Sequence, residues 1–352
     1  MMKRWMVFLG IFVAGHVHAM DSVDVYGMSP QESAVLLQKY SKRVIDIMVP
    51  LNQESINIQL GHKASKKFDR LVQERRALMK EIKKKEGLLF VYLDIVSYPN
   101  NTNNYMTIDV VKTSDKDRLR FVGRGVASKK YPQRHDIVTK MAEYTHKSFQ
   151  LYLTHPPGPN EPPCPVYHCF MGFNAPELKP YLPLFNAAAV QQRTLILDTL
   201  NHDQNPERRG AAAFLVGHFK DPRDIVATLL PHVNDSNEGV RNNVIRVLST
   251  TLFTAKINDI DARPFLTLLD SPVLTDRNKS LFVLDSLAQS KKGKTLLIQE
   301  GRDRLLAILQ LKQPNNHDFA YLILKKISGQ NYGEYDMRAW RDWFNKAQTA
   351  AV

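Results

Sequence analysis

The chain has 352 residues, of which 43% are hydrophobic, and a formal net charge of +13. This apolar content excludes a wholly disordered chain, and the length is sufficient for two domains of ordinary size. A basic charge balance is typical of proteins that meet nucleic acid, an acidic membrane surface or another polyanion.

The first 19 residues have the three parts of a secretory signal peptide. Lys3 and Arg4 form a positive start, residues 7–14 are an apolar run, and Val17-His18-Ala19 is a small-x-small cleavage site. The run is shorter than the about 20 residues that a membrane span needs, although it could remain as an uncut N-terminal anchor. We expect cleavage after Ala19 and a soluble protein in the periplasm or outside the cell. Export argues against nucleic acid as a partner and favours an anionic envelope surface.

Two helices are predicted next. Ser29 should cap the first, with Glu32 completing a capping box, and this helix should end at about residue 47, before Pro50. The second covers residues 62–86, where ten Lys or Arg stand against four acidic residues. Its outer face is either an ordinary solvated face or a docking surface for anions. The docking residues would be Lys63, Lys66, Lys67, Arg70, Lys83 and Lys84.

Strands follow these helices. Residues 88–98 are rich in β-branched and aromatic side chains, residues 105–112 alternate apolar and polar positions, and residues 118–122 are a third candidate. The short connections predict an antiparallel sheet. With a further helix over about 132–153, residues 20–153 are predicted to be an α+β domain, with helices on a small antiparallel sheet.

Residues 154–185 form a proline-rich connector that contains both cysteines of the chain, Cys164 and Cys169. In an exported protein such a close pair is most simply a disulfide. The alternative is a metal site, but the C-x4-C spacing, completed only by His155 and His168, fits structural zinc poorly. We therefore predict a disulfide, no metal ligand and no cofactor.

Residues 186–330 contain a repeated helical pattern. Stretches that begin at Arg209, Arg241 and Arg277 each continue with a small or apolar helical face, at spacings of 32 and 36 residues. A weaker fourth stretch covers residues 317–327. Shorter apolar helices and turns that carry Asp or Pro lie between them, which gives about four helix pairs.

This pattern resembles the HEAT-repeat family, particularly its bacterial, phycobilisome-lyase-type form. The resemblance rests on Ala211-Ala212 after Arg209, and on Asp235 followed by Val240-Arg241. It implies an α-solenoid in which neighbouring helix pairs share one core. It also implies structural, inter-repeat roles for Arg209, Asp235, Arg241 and Arg277, with Asp235 and Arg241 bonding between neighbouring repeats.

The last segment, residues 331–352, is predicted to be a capping helix that begins at Asp336. Trp340, Trp343 and Phe344 would close the apolar end of the last repeat. The chain's end is similar to endings of exported bacterial HEAT-repeat proteins. The alternative for these aromatic side chains is a ligand-stacking site.

The sequence contains no G-x-S-x-G, H-E-x-x-H, P-loop or dinucleotide-binding motif. Asp94 and Asp109 lie on neighbouring predicted strands and could act as an acid–base pair, but Asp on the solvent face of a sheet is ordinary. We therefore name no catalytic residue and predict an exported, non-enzymatic scaffold whose solenoid surface binds another protein. The alternatives are an exported hydrolase or lyase with its site in the N-terminal domain, and a binder of anionic envelope glycolipid through the basic helix.

Overall fold

The computed structural model describes residues 21–98, 103–123, 132, 134–155, 158 and 162–349. The predicted signal peptide lies outside these residues. The strands are β1 Ser22–Tyr26, β2 Phe90–Ser97 and β3 Asn104–Val111. The helices are α1 Pro30–Gln59, α2 Lys66–Lys85, α3 Ile137–Thr154, α4 Tyr181–Gln191, α5 Arg193–His202, α6 Pro206–Val216, α7 Pro222–Leu229, α8 Glu238–Ala255, α9 Arg263–Leu268, α10 Leu274–Leu287, α11 Lys291–Glu300, α12 Arg302–Leu309, α13 Pro314–Ser328 and α14 Met337–Thr349. Short 3-10 helices cover Thr113–Phe121 and Leu230–Asn234.

The N-terminal sheet has the strand order β1-β3-β2. β2 is antiparallel to β3, as predicted, but β1 is parallel to β3, so the sheet is mixed. The third strand candidate, residues 118–122, was wrong: it falls within and just after the 3-10 helix Thr113–Phe121. β1 occupies that edge of β3 instead, because it can bury Val23 and Val25, whereas the 3-10 segment buries only Phe121.

The predicted capping box of α1 is present. The backbone N–H of Glu32 donates to Ser29 Oγ at 3.3 Å, and the N–H of Ser29 donates to the Glu32 carboxylate at 2.8 Å. The predicted end before Pro50 was wrong, since α1 continues to residue 59. Proline removes one backbone hydrogen bond and strains the preceding turn. Burial of Met48 and Leu51 on either side of it holds the helix together there.

The helical region contains four helix pairs, α5 with α6, α7 with α8, α9 with α10, and α12 with α13, together with the helices α4, α11 and α14. The second helices of the pairs, α6, α8, α10 and α13, pack side by side in that order. α3 extends this layer by packing on α6, and its apolar face joins the solenoid core. The sequence placed α3 in the N-terminal domain, because its helical period shows an apolar face but not which core that face enters.

The sheet lies between two cores. Val23, Val25 and Ile108 face α1 and α2, whereas the alternate side chains of the same strands face the helical repeats. Tyr26 belongs to the repeat core, and Asp24 and Asp109 are buried on that face too. Both faces of β1 and β3 are therefore covered. No helix in the described part of the chain is long and apolar enough to cross a membrane.

Candidate functional site

A buried ion pair joins the sheet to the repeats. Arg277 on α10 lies 2.7 Å from the carboxylate of Asp109 on β3, and both side chains are 0% exposed. The guanidinium also lies 4.0 Å from the centre of the Tyr26 ring and donates to the carbonyl oxygen of Ser271 at 2.6 Å. The expectation that an Asp on this strand faces solvent is thus wrong for Asp109, since the repeats supply a cation that allows its burial.

Asp94 shares that face of the sheet, on β2. Burial and the charge of Asp109 raise the pKa of Asp94 to about 7. Burial raises the pKa of Asp109 to about 6, although Arg277 opposes that rise. The two carboxyl groups lie on the same face of the sheet, as an acid–base pair requires. However, Asp109 is fully buried and held by Arg277, which favours a structural role for it over catalysis.

A ladder of ion pairs connects neighbouring repeats. Arg209 pairs with Asp235 at 2.8 Å, and Arg241 pairs with Asp276 at 2.7 Å. The expected bond between Asp235 and Arg241 therefore involves the backbone of Asp235 and not its carboxylate: the Arg241 guanidinium donates to the Asp235 carbonyl oxygen at 2.8 Å. In both pairs the arginine contacts an aspartate at the start of the following repeat's second helix: Asp235 lies just before α8, and Asp276 lies in the first turn of α10. Arg277 breaks this rule, because its acid belongs to the sheet.

The C-terminal aromatic side chains pack in the core of the repeats. Trp340 and Phe344 are fully buried in the repeat core, and Trp343 packs against it. The Trp340 indole N–H donates to the Gly333 carbonyl oxygen at 3.0 Å. Buried rings with a satisfied N–H offer no open face to a ligand, so this geometry favours the capping role.

The cysteine pair lies in a loop that is fastened to the repeats. Cys164 and Cys169 are joined as a disulfide, with Cα atoms 5.9 Å apart. The backbone N–H of Tyr167 donates to the Gly217 carbonyl oxygen at 3.1 Å, and the His168 ring stacks on Phe214 at 5.0 Å. Burial lowers the pKa of His168 to about 3. Among the described residues, no group of three or more His, Cys, Asp and Glu side chains could hold a metal ion.

The same loop borders a cavity of about 360 Å³ on the layer of second helices. Its floor comes from α8, α10 and α13. We call it the cationic groove; the side chains that define it are Arg246, Phe253, Lys279, Phe282 and Phe319. Phe253 is 46% exposed and adds apolar surface to the groove.

The two cations of the groove lack an acidic partner among the described residues. Arg246 lies 5.3 Å from the Phe170 ring centre, and its buried Nε has no hydrogen-bond acceptor there. Burial and the charge of Arg246 lower the pKa of Lys279 to about 7. The carboxylate at the rim, Asp285, is already ion-paired with Lys326 at 2.6 Å. The groove therefore carries positive charge that the described part of the protein does not balance.

A larger cleft of about 610 Å³ lies between β1 and α12, and in this cleft two cations have carboxylate partners. Its Arg304 pairs with Asp270 at 2.9 Å, and its Lys112 pairs with Glu32 at 3.1 Å. The buried carboxylate of Asp24 accepts the backbone N–H of Lys312 at 2.7 Å. The Asp24 contact joins the sheet to the repeats, and the two ion pairs leave Arg304 and Lys112 with their charges balanced.

The basic residues of the second predicted helix do not form one patch. All six are exposed, but Lys67 pairs with Glu54 at 3.2 Å and Arg70 with Glu74 at 3.5 Å. The lysines near residue 66 and those near residue 84 lie at opposite ends of α2, about 27 Å apart at 1.5 Å per residue. A single anionic headgroup cannot contact both ends.

Sequence reasoning missed Arg246 and Lys279. A signal was present, since residues 246, 250 and 253, and residues 279, 282 and 286, recur at helical spacing opposite the apolar face of each helix. Each set combines a cation, a hydroxyl and a phenylalanine. Such a stripe looks like an ordinary solvated face until the neighbouring helix is placed beside it.

Comparison with known proteins supports the repeats alone. Residues 194–285, which cover α5 to α10, match the family of HEAT repeats. No curated protein and no solved structure shows a significant match to the chain. The predicted HEAT-like region is thus confirmed, while the N-terminal domain is assigned to no known family.

Proposed function

We propose that this chain, which contains a HEAT-repeat region, is an exported, non-enzymatic scaffold that binds another protein through the cationic groove. HEAT repeats build extended surfaces from stacked helix pairs, and such surfaces commonly receive protein partners. The observation that carries the proposal is the groove itself. It combines a half-exposed Phe253 with two cations that no described carboxylate balances.

Export is supported by the composition of residues 1–19 and by the disulfide between Cys164 and Cys169. Disulfides persist in oxidising compartments outside the cytoplasm. The mass of the protein recovered from its native cells tests export, because cleavage after Ala19 leaves a chain that starts at Met20. Recovery of the full-length mass would contradict it.

Site-specific cross-linking in native cells tests the scaffold function. A photo-reactive amino acid at Thr254, which is exposed in the groove, should capture one partner protein reproducibly. The matched control is the same group at Ala227, exposed on the first helix of a pair, α7. The Thr254 adduct should disappear in a Phe253→Ser variant. Equal capture at both positions, or none at Thr254, would contradict the proposal.

A further inference from the structure

Arg246 differs from the other arginines of the described repeats, and Lys279 lies beside it on the next second helix. Arg209, Arg241 and Arg277 each have a carboxylate within 2.8 Å. Arg246 has none among the described residues, and Lys279 on the next helix is close enough for Arg246 to lower its pKa. Two half-buried like charges destabilise a fold, and a buried N–H without an acceptor adds to that cost. Each cation has an aromatic contact, Arg246 with Phe170 at 5.3 Å and Lys279 with Phe282 at 5.2 Å. Neither contact balances the charge of the pair, so packing alone does not explain it.

We propose that the cationic groove binds an acidic side chain of the partner protein between Arg246 and Lys279, with the partner's neighbouring apolar side chains on Phe253, Phe282 and Phe319. This inference rests on the proposed function and specifies the chemistry of the partner. The ligand is a peptide segment in which Asp or Glu is adjacent to aromatic or aliphatic residues. Its charge supplies the carboxylate that the groove lacks.

The donors available in the groove favour a carboxylate. A guanidinium presents paired N–H groups that match the two oxygens of a carboxylate, and an ammonium adds a point charge. The hydroxyl groups of Ser249 and Thr250 donate to the carbonyl oxygen of Arg246, at 2.9 and 3.0 Å. Their hydrogens are thus occupied, so recognition of the anion depends on the two cations.

The apolar wall explains why a peptide fits better than a free anion. Phe282 and Phe319 are in contact, with ring centres 4.0 Å apart, and Phe253 stands exposed beside them. A small anion would leave these rings in water, whereas a segment with apolar neighbours would cover them. A volume of about 360 Å³ is at the small end of the range for ligand pockets, which suits a few side chains.

The affinity of the groove for an acidic peptide should increase as the pH falls. Burial and Arg246 hold the pKa of Lys279 near 7, and a bound carboxylate would raise it. Binding should therefore take up a proton and strengthen as the pH falls from about 8 to about 6. Among the other groups at the site, His168 stays neutral because its pKa is about 3, Asp285 is paired with Lys326, and Tyr152 lies near Arg246.

The probe is a phage library of random twelve-residue peptides, selected on the purified intact protein. Selected peptides should share Asp or Glu next to an aromatic or aliphatic residue. Calorimetry on the best peptide and its acid-to-amide version should show about a 10- to 100-fold loss of affinity, as expected for a hydrogen-bonded charge. Arg246→Gln and Lys279→Gln should cause similar losses. The matched controls, Lys291→Gln and Arg341→Gln, remove exposed cations elsewhere and should change little.

Two further readouts separate binding from folding. The Arg246→Gln and Lys279→Gln variants should unfold at the same temperature as the parent protein or higher, whereas a structural role would lower that temperature. The pH dependence of peptide affinity should vanish in Lys279→Gln. If the variants are destabilised, or if affinity does not respond to pH, the assigned role of the pair is wrong.

The outcomes also separate this inference from the scaffold function. If the selected peptides fail to bind Phe253→Ser but contain no required Asp or Glu, the acidic ligand is refuted and the scaffold function is not. Failure to select any peptide that competes at the groove would refute the inference. Together with an absent Thr254 adduct, it would refute the scaffold as well. Binding of phosphatidylglycerol vesicles instead of peptides, lost in Arg246→Gln, would replace the partner protein with a lipid surface.

Discussion

The contact between β3 and α10 yields the strongest prediction about stability. Replacing Asp109 by Ala leaves Arg277 as a fully buried charge without its carboxylate. Arg277 keeps the Tyr26 ring, at 4.0 Å, and the Ser271 carbonyl oxygen, at 2.6 Å, and neither of these carries a charge. Asp94 lies close enough for Arg277 to lower its pKa, but no ion pair joins these two described residues.

The size of the effect follows from this burial. Removal of one partner of a buried ion pair typically costs about 3–5 kcal/mol, most of it the penalty of the stranded charge. Both side chains are 0% exposed, so solvent screening does not reduce this value. Asp109→Ala should therefore lower the free energy of unfolding by about 3–5 kcal/mol at pH 7.5, above the pKa of about 6 of that carboxyl.

The assay is urea unfolding of the parent, Asp109→Ala and a cycle of three further variants: Asp109→Leu, Arg277→Met and the two combined. The double variant removes both charges and replaces them with apolar side chains, so it should lie within about 1–2 kcal/mol of the parent. The coupling energy of the cycle should exceed about 2 kcal/mol. In the single variants, amide hydrogen exchange should become faster in both β3 and α10.

A cost below about 1 kcal/mol for any single variant would show that this pair behaves like an exposed one. Additive effects in the cycle would show that the two residues do not interact. Either result would refute the argument that the repeats allow the polar face of the sheet to be buried.

Two other predictions address the core and the pH dependence of stability. Leu248→Ala, in the fully buried face of α8, should lower the free energy of unfolding by about 2–5 kcal/mol, and hydrogen exchange should place the loss in α6, α8 and α10. Unchanged stability would contradict a shared repeat core. Burial raises the pKa of Asp94 to about 7 from 3.8, so the folded state keeps this proton longer than the unfolded state and stability should fall as the pH rises from about 4 to 7. Asp94→Asn should flatten that slope in urea unfolding series, and an unchanged slope would assign it to other groups.

Local patterns in the sequence predicted the elements that local forces determine. The Ser29 capping box lies within four residues, and the stretches after Arg209, Arg241 and Arg277 all fall in second helices of pairs. Helical period and capping need no knowledge of distant residues. For the same reason, the amino-acid sequence alone was sufficient to identify the repeats.

The features that were missed depend on contacts between distant parts of the chain. Asp109 and Arg277 are separated by most of the repeat region, so alternation along β3 alone suggested a solvent face. The parallel partner of β3 is β1, a five-residue strand that α1, α2 and β2 separate from it. Likewise, Arg246 and Lys279 come together only when α8 packs on α10.

The N-terminal sheet also bears on how the groove keeps its shape. Solenoids bend because each repeat contacts only its neighbours. Here the N-terminal part fastens three successive second helices at the same end. The Phe121 carbonyl oxygen accepts from Arg241 on α8 at 2.8 Å, Asp109 holds Arg277 on α10, and the Tyr98 hydroxyl accepts from Gln313, which precedes α13, at 3.2 Å.

These contacts hold three repeats to one chain segment, and they lie at the opposite end of the helices from Phe253 and Ser286 in the groove. Bending of one repeat against the next would break at least one of them. The distance between Arg246 and Lys279 is set by the packing of α8 on α10, so the same contacts fix it before a ligand arrives. Binding then costs less ordering entropy than it would on a free solenoid. The α+β domain thus contributes to recognition without touching the ligand, because it holds Arg246 and Lys279 in position for the partner's Asp or Glu side chain.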